Sequence, residues 1–156
     1  MPKMIMLVGL PGGGKTTIAN RLYPDAVRVS SDDFIESYAT RVGKTYGEVF
    51  TDVVAQATQH MYDKLDAAIA ADRDIIWDQT NLSTKARKSK LKNIPDHYEK
   101  IALVIPPTKE NIERIERVNV LRAKLGRSVP DKVMRNMIQQ FQMPTEAEGF
   151  DEIIVG

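Results

Sequence analysis

The sequence predicts an α/β domain, a parallel sheet of five strands with helices on both faces. Two observations carry that prediction. Five short apolar runs recur along the 156 residues, and stretches with helical periodicity separate them. The leading run is apolar at every position rather than at every second one, which suits a strand buried on both faces of a parallel sheet. The composition agrees. A hydrophobic content of 42% with 28% charged residues is ordinary for one globular domain and excludes wholesale disorder, so a single domain over residues 1–156 is expected.

Met4–Val8 is the first strand, running into Gly9. Thr17 to Leu22 then has the length and polarity of a short helix, followed by a second strand over Ala26–Ser30 and a helix beginning near Phe34. From Tyr46 to Ala71 the apolar positions Val49, Val53, Ala57, Met61, Leu65 and Ile69 recur every four residues, with Phe50 and Val54 beside them, which predicts a long amphipathic helix. Asp74–Trp77 is the third strand. Thr84–Leu91 is a short helix, Ile101–Ile105 the fourth strand, and Lys109–Arg122 a longer helix. Pro130-Asp131 opens a last helix, because proline suits a first helical turn, and Glu152–Val155 is the fifth strand. Met134, Met137 and Met143 are expected in the core.

Charge and cysteine content exclude whole classes of function. With 22 basic against 21 acidic residues, the net charge of +1 rules out a global cationic field but leaves room for a local basic patch. There is no cysteine, hence no disulfide, thiolate zinc site or cysteine nucleophile. No run approaches the roughly 20 apolar residues of a membrane span, and the N-terminus lacks a signal-peptide pattern. A cytoplasmic protein is expected. His60 and His97 have no partners at metal-ligand spacing and read as structural.

Residues Gly9-Leu10-Pro11-Gly12-Gly13-Gly14-Lys15-Thr16 match the pattern G-x-x-x-x-G-K-[ST] at every fixed position. Glycines at Gly12, Gly13 and Gly14 let backbone N–H groups turn inward around a phosphate, and the following helix aims its positive end at the same anion. Lys15 bridges β- and γ-phosphates in such a loop, and the Thr16 hydroxyl ligates Mg²⁺. The expected ligands are ATP and Mg²⁺.

In an open α/β sheet the chemistry gathers at the carboxyl ends of the strands. Asp32 and Asp33 follow the second strand; a carboxylate there accepts the proton of an attacking hydroxyl or caps the next helix. Asp78 ends the third strand in the apolar-run-then-Asp pattern that positions a metal. Thr80 and Asn81 continue that loop, with Asn81 or Ser83 also suited to capping a helix. Basic residues cluster twice. Lys85, Arg87, Lys88, Lys90 and Lys92 lie within eight residues that hold no acid, which fits either a track for nucleic-acid phosphates or a solvated helix face. Arg114, Arg117, Arg122, Lys124 and Arg127 run into the Gly126 break and suggest a lid over residues 117–130 whose arginine neutralises transition-state charge. Arg114 and Arg117 also alternate with Glu113 and Glu116 and so fit surface pairs.

Together these motifs resemble the kinase domain of the polynucleotide kinase family of P-loop kinases, over nearly the whole chain. The resemblance rests on Gly9 to Thr17, the Asp32-Asp33 pair, Thr80-Asn81-Leu82, the arginine-rich lid and the closing Pro144-Thr145-Glu146-Ala147-Glu148-Gly149-Phe150. Asp78-Gln79-Thr80-Asn81 and that ending also resemble the ATPase-like module of heterogeneous nuclear ribonucleoprotein U. The resemblance implies Asp32 as general base, Lys15, Thr16 and Thr17 on the phosphates and Mg²⁺, Asp78 toward the metal, and Arg122 or Arg127 as the lid arginine. It places Thr80 and Asn81 toward the acceptor, and Asp33 and Arg87 are expected to contact the acceptor from the acidic pair and the basic cluster. Two departures matter. Phage-type 5′-end kinases carry an Arg three residues after the base where Ile35 stands here, and their strand-end Asp-Thr-Asn becomes Gln79-Thr80-Asn81. An apolar Ile35 bordering a pocket for a base is similar to what the small phage 5-hydroxymethyluracil DNA kinases would need. The implied acceptor is therefore DNA, at a base hydroxymethyl group first and a 5′-hydroxyl second.

Overall fold

The computed structural model describes residues 1–125 and 128–156. Its five strands are β1 (Lys3–Gly9), β2 (Val27–Val29), β3 (Ile75–Trp77), β4 (Glu99–Ile105) and β5 (Glu152–Val155). All neighbouring pairs are parallel, in the order β2-β3-β1-β4-β5. The helices are α1 (Lys15–Leu22), α2 (Asp32–Val42), α3 (Tyr46–Ala70), α4 (Thr84–Leu91), α5 (Lys109–Ala123) and α6 (Asp131–Gln140). A 3₁₀ turn at Glu146–Glu148 precedes β5. No helix among the described residues is long and apolar enough to cross a membrane.

The unbroken apolar run of β1 is explained by its central place. Met4, Met6 and Val8 face one core with α3, while Ile5 and Leu7 face the other with Ala19 of α1. Each such fully buried side chain contributes about 1.5–3 kcal/mol.

The every-fourth-residue stripe on α3 has a consequence of its own. Four residues overshoot one 3.6-residue turn, so the stripe winds around the helix. Val49, Val53 and Ala57 accordingly pack on Ile35 and Ala39 of α2, whereas Met61, Leu65 and Ala68 pack on the sheet. The winding also puts Ala68 inside and leaves Ile69 only partly buried. A full capping box starts α3: Thr45 Oγ1 accepts from Glu48 N, and Glu48 Oε1 accepts from Thr45 N. Met134 is buried beneath the phosphate loop with Leu10 and Ile115, and Met137 packs against them. Met143 departs from expectation. It is 44% exposed, because it follows α6 in irregular chain.

Candidate active site

The carboxyl edge of the sheet opens into a cavity of about 490 Å³. Gly9 ends β1 there, and the glycine loop turns directly into α1. Gly12 and Gly14 hold φ of +82° and +86°, the left-handed region where a side chain would be strained. At Gly12 a Cβ would also meet Val118 Cγ1 of α5 at 3.3 Å. Arg114 braces the loop from the same helix, donating from Nη2 to Gly13 O at 2.8 Å. Lys15 is buried and donates to Leu10 O at 3.3 Å. Burial pulls its amine below the ordinary lysine range, with Asp78 and Asp32 opposing that shift.

Opposite the loop stand the acids. Thr16 Oγ1 donates to Asp78 Oδ2 at 2.7 Å, and Arg28 Nε donates to the same oxygen at 2.7 Å. The other end of the Arg28 guanidinium holds Asp33. A hydroxyl and a carboxylate meeting at the phosphate loop are the all-oxygen donors Mg²⁺ takes alongside substrate phosphates and water, so Thr16 and Asp78 fit that ion. Asp32 and Asp33 occupy the first turn of α2, and neither acts as its cap, since the helix begins after Ser31. Tyr46, at the start of α3, donates from its hydroxyl to Asp32 Oδ1 at 2.6 Å. Beside them, Trp77 Nε1 donates to Gln79 Oε1 at 3.1 Å and Gln79 Nε2 to Ser31 Oγ at 3.0 Å, tying the ends of β2 and β3 together.

The cavity therefore brings together Gly12, Gly13, Gly14, Lys15, Thr16, Thr17, Asp32, Asp33, Asp78, Thr80 and Arg122. Arg127 lies outside the described residues.

Three expected acceptor contacts are corrected. Ile35 is fully buried and faces α3 rather than the cavity, because the apolar α2–α3 seam needs it. Arg87 is also fully buried. It donates to both carboxylate oxygens of Glu148 (2.8 and 3.3 Å), to the carbonyls of Asn81 and Leu82 (2.9 and 3.1 Å) and to Thr84 Oγ1 (3.4 Å), which leaves it nothing for a ligand. Asn81 is buried at φ +48°, its amide donating to Leu7 O at 2.8 Å and its carbonyl oxygen held by Lys90. It shapes the loop and does not line the cavity. The helix cap in that loop is Ser83, which accepts from Ala86 N. His60 lies beside Phe34 and His97 pairs with Asp72, neither near the cavity.

The sequence reading missed Tyr46, Arg28 and the bracing role of Arg114. Arg28 had a signal, a lone cation at the carboxyl end of a strand beside a phosphate loop. Tyr46 had none.

Comparison with known proteins follows the same lines. A family model described as AAA domain matches residues 4–144. Mouse heterogeneous nuclear ribonucleoprotein U-like protein 2 is 26% identical over 163 residues; the match covers 99% of this chain and 21% of that protein's length. Among solved structures, a kinase candidate from Chloroflexus aurantiacus superposes with a TM-score of 0.69 at 18% identity, over 99% of this chain and 84% of that one. A chain of the Pnkp1/Rnl/Hen1 RNA repair complex gives 0.66 at 23% identity, over 89% and 43%. At these identities the superpositions establish the fold alone.

Proposed function

The chain belongs to the AAA domain family, and from that premise we propose that it is an ATP-dependent kinase acting on an alcohol group of a nucleic acid. The observation that carries this reading is the meeting of Asp32 with Lys15, Thr16 and Arg122 in one cavity. The glycine loop amides and Lys15 hold the phosphates, and Arg122 adds positive charge where the phosphoryl group transfers. Asp32 accepts the proton of the attacking hydroxyl. Thr16 and Asp78 would hold Mg²⁺, which neutralises phosphate charge when bound.

Charge supports the finer choice of acceptor. The charged residues that α2 contributes to the cavity, Asp32, Asp33 and Glu36, are all acidic. Arg28, the cation paired with Asp33, is also held by Asp78. A 5′-hydroxyl carries a phosphate close by, and that phosphate would sit among like charges. The hydroxymethyl group of a base carries none. We therefore assign the base hydroxymethyl of hydroxymethyluracil in DNA as the acceptor, ahead of a 5′ end. Reaching it within a duplex requires extruding the base, at about a few kcal/mol. The similarity to a chain of an RNA repair complex favours a nucleic acid as the partner.

The similarity to a ribonucleoprotein supports a second reading, an ATP-regulated nucleic-acid binder without transfer. Asp32 separates the two, since a binder has no use for a base. The deciding experiment supplies γ-labelled ATP and Mg²⁺ with blocked-end duplexes containing hydroxymethyluracil or thymine, beside an oligonucleotide with free 5′-hydroxyls. Label confined to the hydroxymethyluracil duplex is expected, and Asp32→Asn should lower its rate by about 10²- to 10⁴-fold. Label on free 5′ ends alone overturns the choice of acceptor. ATP-dependent binding with no labelled product selects the binder.

A further inference from the structure

We propose that Tyr46 is the positioning residue for Asp32: its phenol fixes one carboxylate oxygen and so presents the other to the acceptor hydroxyl. The inference rests on the reading of Asp32 as general base, and three features of the fold argue for it.

The first is the contact itself, 2.6 Å from Tyr46 Oη to Asp32 Oδ1, the ordinary length for a hydroxyl donor on a carboxylate. The second is how firmly each partner is held. Tyr46 is the first residue of α3, held inside the capping box that Thr45 and Glu48 form around the first turn, and its ring lies 5.8 Å from that of Phe50. Asp32 is the first residue of α2. One turn further along each helix, Ile35 and Val49 belong to the same buried seam, and Ala39, Val53 and Ala57 continue it. The hydrogen bond thus closes the end of a packed helix pair, and the seam sets its length. The third is the state of the phenol. Burial first, then the bond to Asp32, pushes the Tyr46 hydroxyl far above its ordinary value, so it stays protonated and remains a donor.

An aspartate on the first turn of a helix otherwise swings about two torsions. A donor on Oδ1 removes that freedom and orients the second oxygen, which is the kind of preorganisation a base needs. In the transfer step the acceptor O–H bond breaks and its proton passes to that second oxygen. The acceptor oxygen bonds to the γ-phosphorus as the bond from that phosphorus to the β–γ bridging oxygen breaks, releasing ADP. Tyr46 keeps its own proton throughout.

The test is Tyr46→Phe in the full chain, which keeps the ring and its packing. Transfer to the acceptor should show a kcat lowered about tenfold, with the KM for ATP and the melting temperature unchanged. Introduced into Asp32→Asn, followed by its residual labelled product, the same substitution should change the rate less than twofold, because the group it orients is no longer a base. A wild-type kcat in Tyr46→Phe overturns the proposal, and so does an equal loss in both backgrounds. A wild-type rate in Asp32→Asn alone is a different result: it removes the reading of Asp32 on which the inference stands.

Discussion

Replacing Arg87 by methionine removes a fully buried cation whose contacts all lie inside the protein. Two bonds to Glu148 and two to the carbonyls of Asn81 and Leu82 disappear together. The Glu148 side chain, 8% exposed, is left as a buried carboxylate without its cation. Breaking one side of a buried pair costs about 3–5 kcal/mol, against a total stability of about 5–15 kcal/mol for a domain. At roughly 2–4 °C per kcal/mol for a chain of this size, the melting temperature should fall by about 10 °C. Urea unfolding followed by the emission of Trp77, the single tryptophan and fully buried, reads the change directly. Glu148→Gln keeps an acceptor for the guanidinium and should cost less, about 2 kcal/mol. Changing both residues to apolar ones should recover much of the loss, since the pair itself adds little beyond what packing would. A loss under about 1 kcal/mol in Arg87→Met, or lost transfer at unchanged stability, would refute the structural role and return Arg87 to the acceptor.

Lys90 and Gly12 give further tests. Burial lowers the Lys90 amine to about 8, below its ordinary 10.5, so between those values the unfolded chain binds more protons and stability rises with pH. The urea midpoint of the wild type should therefore gain on that of Lys90→Met between pH 7 and pH 10; a constant difference would contradict the assignment. Gly12→Ala forces a side chain to φ +82° and against Val118, at a cost of about 1–2 kcal/mol for the left-handed conformation. Calorimetric titration should find weaker ATP binding, and shortening Val118 to alanine should restore only part of it, because the backbone strain remains.

The strands were legible because each is an apolar run interrupted by turn residues, and central burial makes such runs continuous. The glycine loop was legible because its chemistry is local, with the whole phosphate cradle inside eight consecutive residues. What escaped was long-range. Arg87 stands in a stretch with no acid, so its neighbours suggested a solvated or phosphate-binding cation; its partner lies 61 residues on. Ile35 looked like a cavity residue from the family resemblance, in which an arginine takes its position, but the stripe on α3 needed an apolar surface to pack on, and Ile35 supplies it. Tyr46 is placed by the angle between two helices, which no local pattern encodes. Methionine at 143 followed hydrophobicity alone, and hydrophobicity does not put a residue inside when the chain there is irregular.

The sheet order also fixes when the molecule can come together during synthesis. The strand that carries the phosphate loop is made first, yet its two hydrogen-bonding edges belong to β3 and β4. Ile5 waits for Ile76 on one side and Ile101 on the other. At ribosomal speeds of about 5–20 residues per second, that leaves an apolar strand with open edges for on the order of ten seconds. Unpaired apolar edges are templates for wrong pairing, so the nascent chain spends this interval at its greatest risk of aggregation. Hence slow elongation between residues 9 and 105, or a shortage of chaperones that cover such strands, should lower the yield of this protein even where the finished fold keeps its full equilibrium stability.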